Sequence, residues 1–290
     1  MEKKLLVKIN TVFKQNFISL VDDNNDGEDA AMVFFNSFHH HPLKLKKDIH
    51  KFNNREINFL IRNSNPKLLN KRKENLLLII LLLIDSNYAF SNYNRLGIKI
   101  SKRSWAHLLH GSDLNAGKYS PLTLFITNCF AGDMKITPKT WNYLIKHSDL
   151  RMVDCNNQTP LIAWARSIGN LTFFNMNNLA DFNLSKKNIE FLIKNSDFAQ
   201  VDIFNYDALS LLVSYGQMEW AEKLFAVIKN NDPDYFDNDY FDRLSGIMAN
   251  SDPIDKLDIN AINILICSSE KKMIAAALSN RGDGTKSFRI

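Results

Sequence analysis

Apolar residues along this chain return every three or four positions, the spacing of a helix with one buried face. One version of the pattern occurs four times without gaps: FNNREINFLIRNSN (52–65), ISKRSWAHLLHGSD (100–113), ITPKTWNYLIKHSD (136–149) and LSKKNIEFLIKNSD (184–197). Each copy starts with an apolar residue (Phe52, Ile100, Ile136, Leu184), then a capping residue (Asn53, Ser101, Thr137, Ser185), and four positions later a large apolar one (Ile57, Trp105, Trp141, Ile189). This is a hydrophobic staple, in which the side chain before the cap packs on the fourth helical residue and sets the angle at which the chain enters the helix. Glu56 completes a capping box with Asn53, and Pro138 takes the first helical position, where a missing N–H is harmless. An apolar pair follows in each copy (Leu60/Ile61, Leu108/Leu109, Leu144/Ile145, Leu192/Ile193), and each helix is expected to stop at Ser-Asp or Ser-Asn.

Beyond the third and fourth copies, SDLRMVDCNNQTPLIAWARSIGN (148–170) and SDFAQVDIFNYDALSLLVSYGQ (196–217) run in parallel. Each has an Asp five residues after the Ser-Asp aspartate (Asp154, Asp202) and a Leu seven further on (Leu161, Leu209). SDPIDKLDINAINILICSS (251–269) reads as a fifth copy with one inserted residue and no staple. Residues 1–50 predict a capping helical pair, Lys3 to Val21 and Asp29 to Phe38. The nine-residue apolar run Leu76 to Ile84 predicts a buried helix, because spanning a bilayer takes about 20 residues. NLTFFNMNNLADF (170–182) and MEWAEKLFAVIKN (218–230) read as extra helices. The expected architecture is an all-α solenoid: N-terminal capping helices over 1–50, a helical-repeat array over 51–270, and a last helix with a flexible tail over 271–290.

The matched positions Leu144, Ile145, Ser148, Asp149, Asp154, Thr159, Pro160, Leu161 and Gly169 form a pattern that resembles the ankyrin family: a helix ending in LLxxGAD, a loop with Asp, TPL opening the next helix and Gly closing it. Leu192, Ile193, Ser196, Asp197, Asp202, Leu209 and Gly216 repeat it. The copies start 48, 36 and 48 residues apart, against about 33 in that family, and Ile162 and Ser210 stand where the family has His. The resemblance therefore implies a degenerate array, ankyrin-like over 136–217, whose extended surface binds another protein.

Composition agrees with helices, since 290 residues contain only 10 Gly and 7 Pro, too few for many strands joined by tight turns. Three scattered cysteines (Cys129, Cys155, Cys267) give neither a disulfide framework nor a zinc spacing, and are expected to be reduced buried thiols in a cytosolic setting. The charged, amphipathic start MEKKLLVKINTVFKQNF does not read as a secretory signal.

Charge is unevenly spread. Residues 42–75 hold ten Lys or Arg against three acids, and residues 232–258 hold eight Asp against two basic residues. Opposed poles of this kind steer a partner with complementary patches. The expected contact residues are Lys44, Lys46, Lys47, Lys51, Lys71, Arg72 and Lys73 at one pole and Asp234, Asp237, Asp239 and Asp242 at the other. The net charge of only +5 and the lack of a recognisable nucleic-acid-binding motif argue against a nucleic-acid target.

Several motifs fall short of their chemistry. DDNNDG (22–27) opens like an EF-hand loop, but Val33 stands where the bidentate Glu belongs and Asp29 where an apolar residue belongs, so it reads as a turn capping the next helix. His39 to His41 point in different directions on a helix, and no carboxylate accompanies His107 and His110, so no metal is expected. The tail RGDGTKSFRI lacks the glycine before Lys286 that a phosphate loop needs. Trp105 and Trp141 sit at staple positions and read as core. Asp149, Asp154, Asp197 and Asp202 recur with the units, which points to capping rather than catalysis. The expected function is a non-enzymatic module that binds and regulates a partner protein, with no cofactor and no membrane association. The Asn- and Lys-rich composition and the polar tail from Ser279, with Phe288 third from the end, resemble type IV-secreted effectors of intracellular bacteria. That resemblance implies a chain cytoplasmic in the bacterium or delivered to a host cytosol, where it regulates a fellow effector or a host factor. Two alternatives stay open: an enzyme whose active site is assembled from dispersed residues, and a nucleic-acid binder using the basic 42–75 region.

Overall fold

The computed structural model describes residues 1–40, 51–84, 99–130, 137–173, 184–236, 239–240 and 242–243. Among them all regular structure is helical, in eleven helices: α1 (Glu2–Phe13), α2 (Ala30–His40), α3 (Asn54–Arg62), α4 (Leu76–Ile84), α5 (Lys102–Gly111), α6 (Pro121–Phe130), α7 (Pro138–His147), α8 (Pro160–Phe173), α9 (Lys186–Asn195), α10 (Ala208–Ser214) and α11 (Met218–Asn231).

The staple helices α3, α5, α7 and α9 begin at the caps the pattern names. Asn53 and Glu56 form the reciprocal capping box, Ser101 and Thr137 accept the N–H three residues on, and Ser185 accepts from Asn188. The Asx that follows each helix makes one turn in all four copies. Asn65, Asp113, Asp149 and Asp197 accept the backbone N–H two residues on, at 2.9–3.1 Å. These four side chains hold the turn that follows each staple helix.

The chain divides into two compact units, Met1–Cys155 with Ala180–Asn188, and Asn156–Leu179 with Ile189–Ile290. In the first, α4 packs between α2 and α6, while α3 packs on α5. Leu76 to Leu82 are all buried, which accounts for a helix that is apolar all round. Trp141 is fully buried and Trp105 half-buried. In the second unit α10 packs between α8 and α11. There Trp164 is fully buried and meets Trp220 edge to face, with ring centroids 5.7 Å apart.

Three local expectations are corrected. The first helix stops at Phe13 rather than Val21, because Lys14 turns left-handed (φ 54) and the Asn10 side chain exchanges two hydrogen bonds with the Phe17 backbone. Gly169 does not close a helix: it lies inside α8, where a Cβ would sit 1.9 Å from the Tyr215 ring. Gly216 (φ +69) does close α10, in a Schellman turn with Gly216 N–H on the Val213 carbonyl and Gln217 N–H on the Leu212 carbonyl. Cys155 is exposed, not buried. The fifth copy (251–269), His41, Cys267 and the tail lie outside the described residues.

Candidate interaction surface

One six-residue loop precedes three of the helices with the same hydrogen bonds each time: Asn24–Asp29 before α2, Asn70–Asn75 before α4 and Asp202–Asp207 before α10. The first side chain accepts the backbone N–H groups two and four residues on, at 2.8–3.0 Å. Its own N–H donates to the carbonyl of the fifth residue, and its carbonyl accepts from the fourth. The fourth residue is left-handed in every copy: Gly27 (φ 73), Lys73 (φ 61) and Asn205 (φ 65). The sixth residue, Asp29, Asn75 or Asp207, caps the following helix by accepting the N–H three residues on. Asn157 (φ 60) before Thr159, and Gly117 (φ 93) before Ser120, mark related turns ahead of α8 and α6.

Neighbouring loops are joined backbone to backbone. In the first unit the Lys71 N–H donates to the Asp26 carbonyl at 3.1 Å; in the second, the Ile203 N–H donates to the Asn156 carbonyl at 3.1 Å, between the corresponding loop positions. The caps reach onward as well. Asp29 accepts from the Asn65 N–H at 2.8 Å and Asn75 donates to the Asp113 carbonyl at 2.7 Å, each tying a loop to the Ser-Asx corner of the next staple helix.

In every copy the second and third loop residues are exposed, and they differ: Asn25 and Asp26, Lys71 and Arg72, Ile203 and Phe204. Ile203 and Phe204 keep 56% and 59% of their surface open. Beneath them the buried Asp202 carboxylate pairs with Arg166, whose guanidinium lies 5.9 Å from the Phe204 ring centre and 5.8 Å from that of Tyr206.

Of the basic residues expected to meet a partner, Lys51, Lys71, Arg72 and Lys73 are exposed, and Lys44, Lys46 and Lys47 lie outside the described residues. Lys71 pairs with Asp26, and both line, with Arg72 and Glu28, a cleft of about 580 Å³. That part of the basic run thus forms a mixed-charge site rather than a positive face. Asp234, Asp239 and Asp242 are exposed, and Asp237 lies outside the described residues.

Burial pushes the Asp29 carboxyl up to about 6, although the N–H groups of Met32, Asn65 and Ala31 pull it down. At Arg243 burial opposes the charge, but the buried Asp207 carboxylate 2.6 Å away more than offsets it, and the guanidinium is held above its usual range. Tyr235 and Tyr240 are both pushed up, by burial first and then by Asp207. Among the described residues there is no group of His, Cys, Asp or Glu able to hold a metal ion, and no helix long and apolar enough to cross a membrane.

Sequence reasoning found the loop acids at 154 and 202 and the turn at 22–27 that leads into a capped helix, but did not see that 24–29 and 70–75 are copies of the 202–207 loop. The available signal was Asn or Asp, then a cap five residues later ahead of an apolar run. No protein-family model matches the chain, and no curated protein matches it. Among solved structures the chain is similar to one chain of the complex between the Bd0816 predatory endopeptidase from Bdellovibrio bacteriovorus and immunity protein Bd3460. The identity is 15% and the TM-score 0.34, covering 76% of this chain and 92% of that one.

Proposed function

We propose that this protein is a non-enzymatic binding module, an ankyrin-like helical-repeat array that recognises another protein and regulates it by occlusion or by holding it in one state. The observation that carries the reading is the six-residue loop: a constant backbone held by constant polar residues, with two exposed side chains that change from copy to copy. A fixed frame with variable tips is suited to recognition. Asp149, Asp197, Asp202 and Asp207 each accept backbone N–H groups of a turn or cap, which supports a structural role for them. Its Asn- and Lys-rich composition supports a bacterial effector, delivered by a type IV system, that restrains a fellow effector or a host protein. In the second unit the acidic positions 234, 239 and 242 would supply polar contacts beside the apolar tip of Ile203 and Phe204, and in the first unit Lys51, Lys71, Arg72 and Lys73 would supply their own.

Affinity capture with the purified full chain, at low and high salt, tests this reading. A stoichiometric protein that survives high salt and is lost with Ile203→Ser/Phe204→Ser is expected. Recovery of nothing, or of nucleic acid that dissociates with salt, refutes it.

A further inference from the structure

In the first unit, α3 and the start of α5 border an open groove of about 480 Å³ whose lining includes Arg55, Arg62, Lys102 and Arg103. The chain builds it with an asparagine zipper. Asn54, Asn58 and Arg62 stand four apart on one stripe of α3. Asn54 accepts the Lys99 N–H at 2.8 Å; Asn58 donates to the Lys99 carbonyl at 2.7 Å and accepts from the Ser101 N–H at 2.6 Å and the Ser104 hydroxyl at 2.8 Å. These bonds fix the first turn of α5, with Lys102 and Arg103, beside the basic residues of α3. Arg62 is held by its Nε, which donates to the Asn58 carbonyl at 3.0 Å.

The four cations have no carboxylate partner among the described residues, whereas Lys8, Lys71, Arg166 and Arg243 each have one and Lys223 has two. Like charges gathered by packing and left uncompensated are the complement of an anionic surface.

We infer that this groove docks an acidic, carboxylate-rich segment of the partner protein, an assignment that rests on the protein-binding reading and gives it a surface. Three of the four cations are arginines, whose planar forks take carboxylates in two parallel hydrogen bonds. No aromatic ring lines the groove, so it offers no platform for the base stacking on which single-stranded nucleic-acid binders rely. Four cations also fall short of the roughly six to ten phosphate contacts of a duplex binder.

The test is fluorescence anisotropy of the full chain with a labelled peptide of alternating Asp and Glu, and with an oligothymidine of equal charge. Arg55→Gln/Arg103→Gln should weaken peptide binding about tenfold, for the loss of two ion pairs. Lys139→Gln/Lys146→Gln, which removes the same charge at exposed positions on α7, should leave it within about twofold. Arg55 and Arg103 are exposed, so the first variant should keep the parent circular dichroism. Unchanged peptide binding in Arg55→Gln/Arg103→Gln overturns the assignment. So does an oligothymidine that binds the parent chain more tightly than the peptide and is lost in that variant. The capture experiment separates the two levels: a natural partner retained equally by the parent and the variant overturns the groove alone. A parent chain that captures no protein overturns the broader reading.

Discussion

Asp29 gives the fold a pH dependence whose sign can be worked from its surroundings. It is fully buried at the head of α2, where Oδ1 accepts the Ala31 and Met32 N–H groups at 3.0 and 2.9 Å and Oδ2 accepts the Asn65 N–H at 2.8 Å. Burial outweighs those bonds, and the carboxyl rises from 3.8 to about 6. A raised carboxyl pKa means that the native state holds its proton more tightly than the unfolded chain. The stabilising contribution is therefore complete below the unfolded value and is lost as pH climbs through about 6. At about 1.4 kcal/mol per pH unit the loss amounts to about 3 kcal/mol. Asp29→Asn has no proton to lose; it retains an acceptor for the helix N–H groups but sets an amide donor against the Asn65 N–H. Urea unfolding followed by far-UV circular dichroism, between about pH 4 and about pH 7, should find the variant less stable at the acid end. Over that range the gap should close by about 2 kcal/mol as pH rises, since part of the effect is already lost at about pH 4, just above the unfolded value. Glu56 works in the opposite direction: although burial raises its carboxyl, Lys8 and the Asn53 N–H hold it below its ordinary value. It is common to both proteins and drops out of the difference. A gap that stays constant or widens toward neutral pH would mean that the three N–H groups stabilise the carboxylate more than burial destabilises it, and the argument would fail.

The left-handed positions separate backbone strain from crowding. Gly216→Ala has open space around its new Cβ and should cost about 1 kcal/mol, while Gly27→Ala also brings that Cβ within 2.8 Å of the Leu69 carbonyl oxygen and should cost about 2; equal losses in denaturant titration would refute the crowding. Trp141→Ala should cost about 3–5 kcal/mol as a fully buried core residue, and loss of partner binding at unchanged stability would make it a contact residue instead. Asp202→Ala removes the acceptor for two loop N–H groups and the partner of Arg166, an expected loss of about 3–5 kcal/mol in thermal unfolding; a loss under about 1 kcal/mol would show that the loop holds itself.

What was legible in the sequence was whatever local geometry imposes on residue type. A staple needs an apolar residue, a cap and an apolar residue at set distances, and all four helices predicted from that spacing start at the named caps. The apolar run 76–84 was equally readable, because a helix buried on every face admits nothing else. The end of α1 was not: Leu20 is as buried as Leu5, so the hydrophobic pattern runs on past a turn made by Asn10 and Lys14, neither of which is a strong breaker. Gly169 looked like a helix end for a similar reason. A glycine placed for close approach of Tyr215 carries the same letter as one placed for positive φ.

The candidate site escaped the sequence because recognition is counted across space and a charge run is counted along the chain. Within 42–75, Lys71 is answered by Asp26 from an earlier loop, so its charge does not add to those of its neighbours in sequence. Arg55 and Arg62 instead join Lys102 and Arg103, some forty residues away, through Asn54 and Asn58. Those two asparagines look like ordinary solvated helix positions until Lys99 and Ser101 are laid against them. The loops behave the same way. Their first and sixth residues repeat because one backbone geometry demands them, while the exposed pairs at 25–26, 71–72 and 203–204 are free to differ and so carry no pattern to find. If binding is what distinguishes one copy from another, the informative residues are those the repeat does not constrain. Substitutions at 203–204 or around the Arg55 groove should then alter partner choice at nearly constant stability, whereas substitutions at 29, 202 or 207 should alter stability first.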